Sequence, residues 1–237
     1  MSASTHFKGF DFFSSTYYAT GGDYLIEALR SGGVEVEHQP SHQAAKDFPF
    51  ELADLQRYQV ILLSDIGANT LLLPPQVFLE GKRLPNRLER LKDYVYHGGG
   101  LVMAGGYLSF QGIYGAAQYA RSPLAEVLPV TLLPVDDRVE KPQGVDPVVL
   151  ERGHAITKEI EEPWPYLLGF NEVEPKPGAT VLARVDNYPL LVAGTFGRGR
   201  VVAWTSDVGP HWCPQPFVEW PGYRQLWRQI VAWASGE

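Results

Sequence analysis

The sequence has little cysteine and no long apolar run, and both shortages narrow the class of protein. Its 237 residues include a single cysteine, Cys213. One thiol excludes an internal disulfide and a zinc site built from several cysteines, and it fits a reducing compartment. No run approaches the ~20 apolar residues that a membrane-spanning helix needs, and residues 1–6 lack the basic and apolar blocks of a signal peptide. We therefore expect a cytoplasmic protein with no membrane partner.

Clustered basic charge is also scarce. The formal net charge is −7 at pH 7, and the pI is about 5.4. Nucleic-acid binding depends on clustered Lys and Arg side chains that neutralise phosphates, and this sequence has no such cluster. Its six histidines show no spacing typical of metal ligands. We therefore expect no nucleic-acid partner, no structural metal and no cofactor.

The first half of the chain alternates helical and strand patterns. Hydrophobic residues make up 45% of the sequence, which is enough for a full core. Apolar residues at helical spacing predict helices over residues 22–30 and 86–97, each followed by glycines that end it. Alternation predicts a strand at residues 34–38. Continuous apolar runs predict buried strands at 60–64, central in the sheet, and at 101–105.

The second half contains four strand patterns, with a proline-rich stretch among them. They are VTLLPV, TVLARV, PLLVAGTF and RVVAWTS. A hairpin is predicted to turn at residues 197–199, and a final helix is predicted over 221–234. Together the patterns predict one domain over residues 1–237. Its fold would be flavodoxin-like α/β, with a doubly wound, mostly parallel sheet, helices on both faces and an antiparallel C-terminal extension.

A flavodoxin-like sheet normally opens with an apolar strand, and the N-terminal sequence offers little for one. Residues 1–20 contain only FKGFDFF, which is short and interrupted by Gly9. We therefore expect the first strand to be truncated or missing, either because the chain starts late or because the sheet has lost a strand.

Polar residues follow three of the predicted strands. The three segments are SDIGAN (64–69), GGYLSFQG (105–112) and SDVGPHW (206–212). Open parallel sheets bind their ligands beyond the carboxyl ends of the strands, at the point where the strand order reverses. The sequence therefore predicts a ligand crevice where these three segments meet.

Two of these segments carry residues with both a functional and a structural interpretation. Asp65 and Asn69 either cap the loop that follows or bind a ligand. Tyr107 and Ser109 either close a turn through their hydroxyl groups or offer donors and an aromatic face to a small polar ligand. Their position after a strand favours the second interpretation of this pair.

His211 is the strongest single candidate. It follows Asp207 by four residues, and a histidine near an aspartate at a strand end can serve as a base, an acid or a ligand contact. The structural alternative is a histidine that is hydrogen-bonded within its own loop.

Six segments together resemble a known bacterial family. They are HFKGFDFF (6–13), SDIGANTLLL (64–73), YVYHGGGLVMAGGYLSFQG (94–112), LAEVLPV (124–130), DDRVEKP (136–142) and SDVGPHW (206–212). The family consists of uncharacterised cytoplasmic proteins described as glutamine amidotransferases, in the class I glutamine amidotransferase-like, flavodoxin-like group. The resemblance covers nearly the whole chain and implies the fold more strongly than the activity. It also implies that His6 approaches the crevice. Residues 136–138 alone would be interpreted as a solvated charged turn, but the resemblance implies that Arg138 forms an ordered ion pair.

The resemblance fails at the residue on which glutaminase chemistry depends. A class I glutaminase presents a cysteine at the turn after the central strand, where its thiolate attacks the side-chain amide of glutamine. Here the turn reads AGGYL, with Gly106 and Tyr107 at the reactive position. A phenol with a pKa of about 10 replaces a thiol poorly, and Cys213 lies in another loop, where we expect a structural role. We therefore expect no glutaminase activity and treat Gly106 and Tyr107 as ligand-binding candidates.

Two functional hypotheses follow. In the first, the domain binds a small polar metabolite, such as a sugar or an amino-acid derivative, without catalysis. The second is a divergent hydrolase or transferase that uses Asp207 and His211, with Ser109 or a bound water as nucleophile. A hydrogen bond between Ser109 and His211 would favour the second hypothesis. A role in assembly as a homo-oligomer is a third interpretation.

Overall fold

The computed structural model describes the backbone of residues 2–7 and 14–19, and both backbone and side chains of residues 21–237. The strands are β1 (Ser2–Phe7), β2 (Ser14–Ala19), β3 (Val60–Ser64), β4 (Gly100–Ala104), β5 (Val130–Leu132), β6 (Arg138–Val145), β7 (Pro147–Val149), β8 (Leu167–Asn171), β9 (Val173–Pro175), β10 (Thr180–Val185), β11 (Tyr188–Phe196) and β12 (Gly199–Trp204). The α-helices are α1 (Asp23–Arg30), α2 (Ser41–Asp47), α3 (Leu52–Leu55), α4 (Ala68–Leu72), α5 (Pro75–Phe78), α6 (Arg87–Tyr96), α7 (Leu124–Val127), α8 (Gln215–Val218) and α9 (Pro221–Ser235). Short 3₁₀ turns cover Ile113–Gly115 and Tyr119–Arg121.

Among the described residues, the central sheet has six strands in the order β3-β4-β12-β11-β10-β7. Strands β3, β4 and β12 are parallel neighbours, whereas β11, β10 and β7 continue the sheet with antiparallel pairings. Because β10 reverses direction again after β11, it runs the same way as β3, β4 and β12. The mostly parallel α/β sheet with an antiparallel C-terminal extension is therefore confirmed.

Helices cover both faces of this sheet. Every residue of β4 is buried, and successive side chains of a strand point to opposite faces. Val102 packs in the core that contains the apolar residues of α1 and α9, and Leu101 packs in the core that contains those of α6. The doubly wound arrangement follows from this alternation.

The predicted helices form with nearly the predicted bounds, because their end signals are local. The side chain of Asn86 caps α6 by accepting hydrogen bonds from the backbone N–H groups of Leu88 and Glu89, at 2.9 and 3.3 Å. The glycines that follow α1 and α6 include Gly33 at φ +83° and Gly98 at φ +114°, which end the helices. In the part of the chain with described side chains, no helix is both long enough and apolar enough to cross a membrane.

Two predictions about strands are wrong. Residues 34–38 form no strand, although Val34 and Val36 pack partly buried against the core. The alternation there reflects burial of one side of an irregular segment. Strand β3 has the predicted bounds but lies at the edge of the described sheet, with β4 and β12 inside it. Strands β1 and β2 pair with each other, so no described strand precedes β3 in the central sheet.

Candidate functional site

The segments that follow β3, β4 and β12 meet at one edge of the sheet. The backbone N–H of Asp65 donates to Ser109 Oγ at 3.0 Å, and the N–H of Leu108 donates to Asp65 Oδ1 at 2.7 Å. The rings of Tyr107 and His211 lie edge to face, with centroids 4.7 Å apart. The predicted crevice therefore brings Asp65, Ser109, Tyr107 and His211 together.

The turn after β4 has room for glycine only. Gly106 adopts φ +140°, a conformation that L side chains rarely adopt, and a Cβ there would lie 2.5 Å from Asp65 Oδ1. Its N–H donates to Asn171 Oδ1 at 2.9 Å. The turn therefore presents no side chain at Gly106, and Tyr107 is the first side chain that it offers to the crevice.

A buried carboxylate holds the following loop in place. Asp137 is 1% exposed and accepts hydrogen bonds from the backbone N–H groups of Gln111 and Gly112 and from Asn171 Nδ2, each at 2.8 Å. Burial raises the pKa of Asp137, although the hydrogen bonds oppose that shift. The interpretation of residues 136–138 as a solvated charged turn is therefore wrong for Asp137, which anchors the loop after β4.

The expected ion pair at Arg138 is confirmed. The guanidinium donates to both carboxylate oxygens of Asp136, with Nε at 3.0 Å from Oδ1 and Nη2 at 2.8 Å from Oδ2. Bidentate pairing of this kind fixes the orientation of the planar guanidinium. Its carbon Cζ lies 4.7 Å from the centroid of the Tyr107 ring, so Arg138 borders the crevice.

Glu140 links two of the three segments. Its Oε1 accepts the hydroxyl hydrogen of Tyr107, and its Oε2 accepts the indole N–H of Trp212, both at 2.9 Å. Burial, followed by the hydrogen bond to Glu140, raises the pKa of Tyr107. Sequence reasoning missed Glu140 and Trp212 as site residues, although both occur in the segments that carry the family resemblance.

His211 lies between aromatic rings and beside a carboxylate. Its side chain is 45% exposed, and its Nδ1 lies 3.7 Å from Asp207 Oδ2. The imidazole stacks on Trp212 at a centroid distance of 5.5 Å, with 22° between the ring planes. The imidazole is therefore oriented on two sides and half open to solvent.

The protonated form of His211 is favoured by its surroundings. Burial lowers the pKa of His211, but the adjacent carboxylate of Asp207 and the charges of Glu140 and Asp65 outweigh burial, so the pKa is raised. A histidine with these neighbours can hold or deliver a proton near neutral pH.

A cavity of about 390 Å³ lies beside β3. Its lining is more apolar than polar, and the polar residues that line it include Asp65, Asp207 and His211. Within residues 21–237, no three His, Cys, Asp or Glu side chains are grouped so that they could hold a metal ion.

A family model described as "Putative glutamine amidotransferase" matches residues 1–236. The chain belongs to this glutamine amidotransferase-like family. A search of the curated proteins found no match.

Two solved structures from Salmonella are similar to this glutamine amidotransferase-like chain over nearly its whole length. The cytoplasmic protein STM3548 of Salmonella typhimurium is 42% identical with a TM-score of 0.91, and the cytoplasmic protein STM1381 of strain LT2 is 44% identical with a TM-score of 0.90. Each match covers 98% of this chain and 94% of the other. A ThuA-like protein of Parabacteroides merdae has 14% identity and a TM-score of 0.54 over 90% of this chain and 83% of its own, which shows a shared fold alone.

In this glutamine amidotransferase-like protein, Ser109 has a structural contact. It is buried, and its hydroxyl oxygen accepts the N–H of Asp65, a residue in the left-handed region at φ +50°. The hydrogen bonds among residues with described side chains include none between Ser109 and His211. The contact that would favour Ser109 as a nucleophile is therefore not formed.

Three other residues singled out in the sequence are exposed in a helix, outside the described side chains, or buried in the core. Asn69 is exposed in α4 and does not line the cavity. The side chain of His6 lies outside the described residues. Cys213 is buried in the core, and burial together with the charge of Asp207 raises the pKa of its thiol well above the usual range.

Proposed function

We propose that this protein binds a small polar metabolite in the crevice at the carboxyl ends of β3, β4 and β12. The observation that carries the proposal is the half-exposed imidazole of His211, held between Tyr107 and Trp212 with Asp207 at its Nδ1. Convergent polar groups with a perturbed pKa at the end of a cavity are typical of ligand sites.

The groups that face the crevice indicate the kind of ligand. Because Nδ1 of His211 faces Asp207, Nε2 is the ring nitrogen that can donate to an oxygen of a ligand. The carboxylate of Glu140, 48% exposed, can accept hydrogen bonds from hydroxyl or amino groups. A compact molecule that has both acceptors and donors fits these groups.

Hydrolysis of glutamine through a cysteine is not part of this proposal. By the family resemblance, Gly106 and Tyr107 stand where a class I glutaminase would present its nucleophile. Cys213 is buried, and its thiol has a raised pKa, so the reactive thiolate is disfavoured.

A second candidate function is hydrolysis or group transfer by Asp207 and His211 with a bound water as nucleophile. The 3.7 Å ion pair and the raised pKa of His211 support this candidate. The version with Ser109 lacks its hydrogen bond to His211.

A thermal-shift screen with a library of sugars, amino acids and their derivatives tests the proposal. We expect at least one compound to raise the melting temperature of the wild-type protein and to do so less for His211→Ala. His97→Ala is the matched control, because His97 is exposed and precedes the opposite end of β4. A compound that stabilises all three proteins equally, or a library with no stabilising compound, would contradict the proposal.

We also propose a cytoplasmic location. Two relatives with 42–44% identity are described as cytoplasmic proteins, and the single cysteine fits a reducing compartment. Fractionation of bacterial cells that express the chain from its native gene checks this, and recovery in the periplasm or the membrane fraction would contradict it.

A further inference from the structure

Tyr114 is a large aromatic side chain in an unusual position. It is 79% exposed, and its backbone lies in the left-handed region at φ +54° and ψ +21°. A bulky residue with positive φ is uncommon, and conformations of this kind cluster at ligand-binding sites. An exposed tyrosine there gains little from core burial, so its ring calls for another explanation.

The turn that carries Tyr114 is held on both sides. The backbone N–H of Tyr114 donates to Asp136 Oδ2 at 2.8 Å. The buried side chain of Gln111 donates to the carbonyl of Gly115 and accepts the N–H of Ala120, both at 3.2 Å. The ring is therefore presented by an ordered backbone.

Tyr114 continues a row of side chains that begins in the crevice. Cζ of Arg138 lies 5.6 Å from the ring centroid of Tyr114 and 4.7 Å from that of Tyr107. The ring of Tyr107 in turn contacts that of His211. Since Asp136 fixes the guanidinium of Arg138, the spacing along this row is set before any ligand arrives.

We infer that Tyr114 is a specificity-determining residue that forms the outer wall of the crevice, and that the ligand carries a sugar ring that packs on it. This inference rests on the proposed function. The C–H face of a hexose is apolar and matches the exposed face of a phenol ring. The hydroxyl groups at the edge of the sugar match the acceptor oxygens of Glu140 and the guanidinium of Arg138, which both border the row.

Saturation-transfer NMR with D-glucose, D-galactose and D-mannose tests the inference, with sorbitol as an open-chain control. We expect at least one hexose to bind the wild-type protein, and sorbitol to bind more weakly. Tyr114→Ala should lower the affinity for that hexose by about five- to ten-fold. Tyr114→Phe, which keeps the ring, should change the affinity by less than about two-fold. Tyr96→Ala removes an exposed tyrosine at the far end of α6 and should have no effect.

Tyr114→Gly separates binding from stability. Glycine adopts positive φ without strain, so this variant should melt no lower than Tyr114→Ala and should still bind the hexose as weakly. Equal hexose affinity in wild type and Tyr114→Ala would contradict the role of Tyr114 as the outer wall, and it would not contradict the proposed function. Binding of other library compounds in a His211-dependent way, with no hexose bound, would overturn the sugar class alone. Failure of every library compound would reject the proposed function itself.

Discussion

Asp207 and His211 form an ion pair within the loop that follows β12, with Oδ2 of the carboxylate 3.7 Å from Nδ1 of the imidazole. The loop itself orients the aspartate. Its Oδ1 accepts the N–H of Val208 at 2.8 Å, and its backbone carbonyl accepts the indole N–H of Trp204 at 3.0 Å. One carboxylate oxygen therefore holds the loop, and the other faces His211.

Asp207→Asn should lower the pKa of His211. The carboxylate of Asp207 is the main group that opposes the effect of burial on the imidazole, so an uncharged amide leaves burial with less opposition. NMR titration of the histidine ring signals measures this. A His211 that titrates at the same pH in both proteins would show that the ion pair does not set its charge.

The same ion pair predicts a direction for stability against pH. The pKa of His211 is raised above 6.5 in the folded protein. The stabilisation of the folded state by the ion pair is therefore fully present below pH 6.5, and it is lost as the pH rises through the raised pKa. The melting temperatures of wild type and Asp207→Asn should therefore differ more at about pH 6 than at about pH 9. A difference that grows with pH would contradict this sign.

Asp137→Ala should strongly destabilise the protein. It would leave the N–H groups of Gln111 and Gly112 and the amide of Asn171 buried without their acceptor, at a cost of about 3 kcal/mol. Asp137→Asn keeps the shape and one acceptor oxygen, so about 1–2 kcal/mol should be lost. Urea denaturation measures both. Asp93→Ala, which removes an exposed partner of Arg90, is the control and should cost less than about 1 kcal/mol; equal losses at the two sites would contradict the anchoring role.

Gly106→Ala should disturb the crevice and the fold together. The new Cβ would meet Asp65 Oδ1 at 2.5 Å on a backbone with φ +140°, which we expect to cost about 2–4 kcal/mol of unfolding free energy. Gly153→Ala is the control, because a Cβ there meets nothing within 4 Å. Thermal unfolding of the two variants distinguishes them, and a Gly106→Ala protein as stable as the control would disprove the close contact.

Cys213 should be unreactive, and glutamine should not be hydrolysed. The buried thiol has a raised pKa, so a disulfide reagent should modify it slowly in the native protein and reach one thiol per chain in urea. Glutamine should release no more ammonia with wild type than with Cys213→Ser. Fast native modification, or ammonia that disappears in the variant, would restore the cysteine mechanism.

The helices were predictable because their signals are local, whereas the order of the strands was not predictable. The cap at Asn86 and the glycines after α1 and α6 act within a few residues, so the ends of the helices could be inferred from the sequence. The apolar run of β3 reads the same at the edge of a sheet as at its centre, because strand order depends on distant parts of the chain. The interpretation of residues 34–38 as a strand failed because one-sided burial does not require a hydrogen-bonded partner.

The place of the candidate site was predictable, but its contacts were not. The rule that ligands bind at strand ends brought together Asp65, Tyr107 and His211. Glu140 was missed because its partner Tyr107 lies 33 residues away, and Asp137 was missed because Asn171 lies 34 residues away. No local spacing indicates such contacts, which form only in the folded chain, where β6 pairs with β8 and Glu140 of β6 meets Tyr107 of the loop after β4.

The proposed metabolite site is centred on His211. Ring signals of the histidines and tyrosines, recorded by NMR while the most stabilising library compound is added, test this most directly. We expect saturable shifts of the His211 and Tyr107 ring signals, with those of His97 and Tyr96 unchanged. Saturable shifts confined to His97, Tyr96 or other rings, with those of His211 and Tyr107 unchanged, would contradict it.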